Sequence, residues 1–191
     1  MSASRRPSPD QQRNGTGTGT VPAARRPETI TAPVQIAVCG PRDCTEQEAG
    51  LARRVGELLA QAGAVVICGG GTGVMAAVAA GAREAGGTVI GIRPGPGKDG
   101  ASPDLSVTIV TNLGEARNAI IVWSADAVIA VGGSWGTLSE VALAQRRGGV
   151  PVVVLNGWRV LDAQGQPVDG LDHVASAEDA VQHALASVGP A

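Results

Sequence analysis

The sequence predicts one α/β domain, a doubly wound, Rossmann-like and mostly parallel sheet with helices on both faces. Three observations carry this. Short β-branched runs alternate with helical segments along the chain. Two of those runs, residues 64–68 and 127–131, end in glycine-rich turns, Gly69-Gly70-Gly71-Thr72-Gly73 and Gly132-Gly133-Ser134-Trp135-Gly136-Thr137. A helical pattern opens directly after each turn. Near-continuous apolar runs of this kind suit strands buried on both faces.

The elements follow in order. Residues 34–39 read as the first strand, and Gly40-Pro41-Arg42-Asp43-Cys44 as a loop. Thr45 with Glu48 three positions on forms a capping box for the first helix, which carries Leu51, Val55, Leu58 and Leu59 on one face and ends near Gly63. The second strand, 64–68, leads through its glycine turn to a small-residue helix, 74–85. Residues 88–92 form strand three. The loop 93–106 holds Pro94, Pro96, Pro103 and the only lysine, Lys98. Strand four is 107–110, and a helix is expected over 112–124. Strand five, 127–131, runs into the second glycine turn and a helix whose apolar side carries Leu138, Val141, Ala142 and Ala144. Strand six is 151–155. Ser176 caps a last helix through 186. The domain spans residues 34–191. Residues 1–33 are poor in core formers and rich in Pro, Gly, Ser, Thr and Arg, which predicts a disordered tail. Their Arg excess is that of a transit peptide, but no amphipathic period accompanies it.

Composition narrows the function classes. The chain has 191 residues, 43% hydrophobic, with a net charge of -2. No basic patch dominates, and with no Tyr, no Phe and three Trp there is little from which to build a base-stacking surface. Nucleic acid is therefore not an expected partner. Nor is a membrane, since no apolar run reaches the roughly 18 residues a span needs. Cys39, Cys44 and Cys68 are an odd number of thiols, which suits a reducing cytoplasm, the expected localisation.

In a doubly wound sheet, ligands bind beyond the carboxyl ends of the strands. That places Gly40, Arg42, Gly69, Gly70, Gly71, Thr72, Gly73, Arg93, Gly132, Gly133, Ser134, Trp135, Gly136 and Thr137 on one rim, with Asn156 after strand six a further ligand-binding candidate. A glycine turn that opens a helix points backbone N–H groups and the positive helix end at one spot, where a phosphate binds. Glu140 is expected on the first turn of its helix, either complementing the dipole or reaching a ribose beside the phosphate. Trp135 is either a packing plug or a wall against a flat ligand. Arg117, in Glu115-Ala116-Arg117-Asn118, is either a solvated helix arginine or a guanidinium turned toward the site. Cys39 and Cys68 stand at neighbouring strand ends, close enough in register to approach, with burial as small hydrophobes the default. No metal site is expected.

Other chemistries fit poorly. Gly71-x-Gly73-x-x-Ala76 has the context of a dinucleotide fingerprint, but Arg93 stands where an acid would bind ribose. A Walker loop fails because Asp99 follows Gly97-Lys98. His173 and His183 lie far along the chain from the glycine turns, which disfavours a nucleophile–histidine mechanism.

The stretch Gly133-Ser134-Trp135-Gly136-Thr137-Leu138-Ser139-Glu140 resembles the PGGxGTxxE motif of the Lonely Guy (LOG) proteins, the "lysine decarboxylase-like" Rossmann superfamily. Gly69 to Met75 is similar to the family's second glycine loop, and Glu115-Ala116-Arg117 to its arginine segment. The resemblance covers most of residues 34–158. It extends to a shorter branch that includes molybdenum cofactor carrier proteins and is related to the core of DNA-processing protein A. The family's Pro and second Gly are Gly132 and Ser134 here, and the lysine after the arginine is Asn118.

The resemblance implies two functions. One is a carrier or binding protein for a phosphorylated, nucleotide-like small molecule, a nucleotide or molybdenum cofactor as cargo. The other is a nucleoside monophosphate phosphoribohydrolase, with Arg117 and Glu140 catalytic. It also implies a homodimer or larger oligomer. The apolar surfaces of the helices after strands two and four, including Ala76 to Ala80 and Ile120 to Trp123, point the same way. Lysine decarboxylation is not expected, because Lys98 sits in a Gly/Pro loop unsuited to a Schiff base.

Overall fold

A computed structural model describes residues 32–188. The expected tail lies outside the described residues except for positions 32 and 33. The elements are β1 (Gln35–Cys39), α1 (Glu46–Gln61), β2 (Val65–Cys68), α2 (Val74–Glu84), β3 (Val89–Arg93), β4 (Val107–Val110), α3 (Arg117–Trp123), β5 (Ala127–Val131), α4 (Trp135–Arg147), β6 (Val152–Leu155), β7 (Leu171–Val174) and α5 (Ala177–Ser187). The strands form one sheet in the order β4-β3-β2-β1-β5-β6-β7. Every pairing in it is parallel.

Alternation along the strands builds two cores. Ile36 and Val38 of β1 face the layer of α1, α2 and α5, where Val55, Leu59, Val78 and Ala180 are buried. Ala37 and Cys39 face the layer of α3 and α4, with Ile121, Val122, Val141 and Ala144. Burying each large aliphatic of this kind contributes about 1.5–3 kcal/mol. The fold is thus the doubly wound α/β architecture expected. Its strand order reverses at β1, which has β2 on one side and β5 on the other. The crevice of such a sheet opens at that point, between the carboxyl ends of β1 and β5.

α1 starts where expected. Thr45 Oγ1 accepts from the Glu48 N–H at 3.2 Å, and Glu48 Oε2 accepts from the Thr45 N–H at 2.8 Å. α1 and α2 then pack unusually close, because glycines face each other's backbone. A Cβ on Gly81 would lie 1.9 Å from the Arg53 carbonyl oxygen, and one on Gly56 2.2 Å from that of Val78. α1 therefore covers the α2 surface that the sequence left open: Val78 and Ala79 are fully buried, and Ala76, Ala77 and Ala80 half-buried. Ala76, Ala77 and Ala80 leave only a half-buried small-residue surface on α2.

Three boundaries differ from expectation. The helix expected over 112–124 is a 3-10 turn, Gly114–Ala116, followed by α3 from Arg117. Asn112 and Gly114 both have positive φ, 54° and 56°, which a helix cannot absorb. α4 begins at Trp135 after the Ser134 cap, so Glu140 is its sixth residue, in the second turn and not the first. A dipole interaction fades beyond the first turn, so that explanation of the carboxylate falls away. β7 was not foreseen: Leu-Asp-His-Val is an edge strand, half-exposed and half polar, and gives no apolar run to detect.

Candidate functional site

The site is assembled at the carboxyl ends of β1 and β5. β5 ends at Val131, and the chain turns through Gly132 at φ 65°. A Cβ on Gly132 would lie 2.0 Å from Glu48 Oε1, and one on Gly133 2.2 Å from the Trp158 ring. Both glycines are thus needed for close approach. Ser134 then caps α4: its Oγ accepts from the Thr137 N–H at 3.1 Å. The N–H groups of Trp135 and Gly136 sit in the first turn, where a helix has no acceptor of its own for them.

Beside this helix end lies a polar cavity of about 130 Å³. Ser134, Gly136 and Thr137 border it on one side, Gly40 and Arg42 on another, and Arg117 and Glu140 line it as well. Arg117 is the first residue of α3 and is only 7% exposed; it is turned inward, not solvated. Glu140 is 6% exposed. Arg117 Nη1 stands 3.6 Å from Glu140 Oε1. Within the described residues, Arg117 Nε and Nη1 have no hydrogen-bond partner. Asn118 Nδ2 donates to Ser139 Oγ at 2.9 Å, and Ser139 Oγ donates to the Gly136 carbonyl at 2.7 Å. This relay ties α3 to the first turn of α4. Asn118 Oδ1 is buried without a partner among the described residues.

Burial dominates the electrostatics. It pushes the Glu140 carboxyl up to about 7, against the pull of the Arg117 charge and the neighbouring Cys39 thiol. Cys39, at the end of β1, is raised well above the ordinary thiol range by burial and then by the Glu140 charge. Cys68 is pushed up to about 11, again chiefly by burial. Neither thiol is activated as a nucleophile. The two also face opposite layers, Cys68 the α1 side and Cys39 the α3 side, so they do not pair. Burial, then the charges of Arg117 and Arg42, lower the Arg93 guanidinium. Three guanidinium groups therefore converge near the crevice, a field that suits an anion.

Several expected residues stand elsewhere. Gly70, Gly71, Thr72 and Gly73 do not line the cavity. The α2 end is closed by main chain: the Val74 N–H donates to the Pro41 carbonyl at 3.1 Å, and Gly73 is pressed against the Pro41 and Arg42 carbonyls. Arg93 donates to the carbonyls of Gly70 at 3.2 Å and Asp99 at 2.8 Å, strapping the 93–106 loop onto the glycine turn. Asn156, at φ 50°, turns the chain after β6 outside the cavity. Gly133 borders a separate apolar cleft of about 20 Å³ behind α4, room for about one water. Trp135 is 78% exposed and stands edge-on to Trp158 at 5.3 Å. It is neither a buried plug nor a wall of the polar cavity. Gly69, expected on the rim, lines the cavity, and Cys39, Met75, Glu115 and Asn118 line it without having been foreseen there. Asn118 had a signal, since it occupies the position of the LOG lysine.

The model of the SLOG cluster4 family matches residues 33–183. The chain belongs to that family. A family relative, an uncharacterised protein of Archaeoglobus fulgidus, is 44% identical over 141 residues, covering 71% of this chain and 93% of the relative. Among solved structures, the molybdenum cofactor binding protein of Rippkaea orientalis is 35% identical with a TM-score of 0.74, covering 82% of this chain and 98% of that one. The molybdenum cofactor carrier protein of Chlamydomonas reinhardtii is 32% identical with a TM-score of 0.73, over 83% of this chain and 100% of that one. DNA processing protein A of Helicobacter pylori, described with single-stranded DNA, is 18% identical with a TM-score of 0.62, over 82% of each chain. That last likeness is one of fold. The expectation of no nucleic-acid partner rests on composition alone.

Proposed function

We propose that this SLOG cluster4 protein binds a phosphorylated, nucleotide-like small molecule as a carrier or binding protein, with molybdenum cofactor or a nucleotide as cargo. One observation carries the reading. The free first turn of α4 opens into the same polar cavity as the buried, unsatisfied Arg117. A phosphate takes the helix end, and the rest of the ligand reaches the buried pair. The molybdenum cofactor proteins among the structural neighbours support a carrier role. Arg42 at the rim adds positive charge. Nucleic acid stays outside the proposed partners on composition alone. Membranes do so as well; no described helix is long and apolar enough to cross one. The cytoplasm remains the proposed location, from thiol usage.

Mass spectrometry of small molecules that copurify with the full chain tests this. A phosphorylated heterocycle is expected, and an empty protein that binds no such compound would overturn the proposal.

Phosphoribohydrolysis is the second reading, favoured by the Glu140 carboxyl near neutrality beside Arg117. There the carboxylate would stabilise charge developing on the ribose, and Arg117 the departing base. Incubation with a panel of nucleoside monophosphates separates the two. Release of ribose phosphate that fails with Glu140→Ala establishes the hydrolase and removes the carrier.

A further inference from the structure

We infer, on the binding reading above, that Arg117 and Glu140 together read one edge of a flat heterocycle. That edge carries a carbonyl, a ring N–H and an exocyclic amine in sequence. It is the 2-amino-4-oxopyrimidine edge shared by guanine and pterins. Arg117 donates only, and an ionised carboxylate accepts only. Arg117 Nη1 and Glu140 Oε1 are 3.6 Å apart. This is too long for a hydrogen bond between them and close enough for adjacent atoms of one ligand edge to serve both. Arg117 Nε and Nη1 lack acceptors among the described residues, although the side chain is more than nine-tenths buried. A buried donor left so carries an uncompensated desolvation cost, which a ligand carbonyl recovers.

The carboxylate has two oxygens, and this selects among rings. A guanine-type edge offers Arg117 its carbonyl and the carboxylate two N–H donors. An adenine-type edge offers one amine and a bare ring nitrogen, which leaves one carboxylate oxygen unmatched. A uracil- or xanthine-type edge turns a second carbonyl against the carboxylate, which repels it. The cavity of about 130 Å³ accommodates one ring system. The frame is rigid where it matters, because the Asn118–Ser139–Gly136 relay holds α3 on α4. Glu140 lies five residues beyond Trp135 on the same helix, about 7 Å along its axis at 1.5 Å per residue. Phosphate and ring edge are thus read from two points on one helix, with a sugar-sized gap between them.

Calorimetric titration of the full chain with guanosine, inosine, xanthosine and adenosine monophosphates and with 6-hydroxymethylpterin phosphate tests this. The guanine and pterin compounds are expected to bind at least about tenfold tighter than inosine monophosphate, which lacks the amine, and roughly 100-fold tighter than the adenosine and xanthosine compounds. Glu140→Gln should erase the preference for the amine, with a cooperative thermal melt at the titration pH showing that the variant is folded. Equal affinity across the panel overturns the edge recognition and leaves the phosphate-binding reading standing. Binding of none of them overturns both.

Discussion

Arg117 and Glu140 face each other at 3.6 Å, each more than nine-tenths buried, yet neither closes a hydrogen bond on the other. The pair reaches from the start of α3 to the second turn of α4. It brings together residues 23 positions apart. A buried ion pair of this sort contributes little to stability on its own, which agrees with the role toward a ligand proposed above.

Stability should fall as pH rises toward neutrality, through Glu140. Its carboxyl is raised from 4.5 to about 7, chiefly by burial. The folded state therefore holds the proton more tightly than the unfolded chain. The resulting stabilisation is full below the unfolded value, declines between about 4.5 and 7, and is gone above that. Arg117, Cys39 and Glu115 are the groups that bear on this carboxyl. Compared with Glu140→Gln, the wild type should lose about 3 kcal/mol between pH 4 and pH 8. Urea denaturation of both proteins across that range measures it, and parallel curves would contradict the assignment.

Gly136→Val should block the ligand and spare the fold. A Cβ there meets only Ser134 Oγ, at 3.7 Å, and the residue sits at the cavity mouth. The melting temperature is expected to stay within about 2 °C. Affinity for a phosphorylated ligand should drop at least about tenfold, because the side chain fills the space before the helix end. Calorimetry and a thermal melt together check both halves.

Gly81→Ala should do the reverse. The added methyl would meet the Arg53 carbonyl at 1.9 Å and force α1 away from α2. Overpacking of this kind costs roughly 1–3 kcal/mol even before the helices separate. A fall of about 5 °C or more in melting temperature is expected, with ligand affinity per folded molecule unchanged.

Self-association is expected through α3 and β4. Val107 and Ile109 pair with Ile90 and Ile92 and so point to the α3 side of the sheet, where both remain exposed. Trp123 on α3 is 59% exposed on the same side, with Arg147 stacked over its ring at 5.0 Å. A second copy placed there would cover the open apolar margin of the sheet. Light scattering at micromolar concentration should give a dimer or larger species, and Trp123→Glu a monomer. A monomeric wild type would end this proposal.

Much of the fold was legible because its signals are local. The capping box at Thr45 and Glu48, the β-branched runs and the glycine turns each specify a nearby backbone state. β7 escaped because an edge strand of Leu, Asp, His and Val needs no buried face. The site divides the same way. Arg117, Glu140 and the α4 turn were marked by residue type and spacing. The closure of the α2 end was invisible, because it depends on Pro41 and Arg42 carbonyls brought there by the fold. Arg93 showed a charge in the sequence and became a strap in the structure, since its targets are main-chain oxygens with no sequence signature.

Gly132 also bears on how the motif can change over descent. The LOG pattern has proline at this position, and a proline ring fixes φ near −65°. Here φ is 65°, with the Glu48 carboxylate packed where any Cβ would go. Proline requires the opposite φ, and another side chain is strained at this φ and must displace the Glu48 carboxylate that caps α1. Substitutions at positions 132 and 48 are therefore expected to be non-additive, an epistatic pair in the descent of this motif.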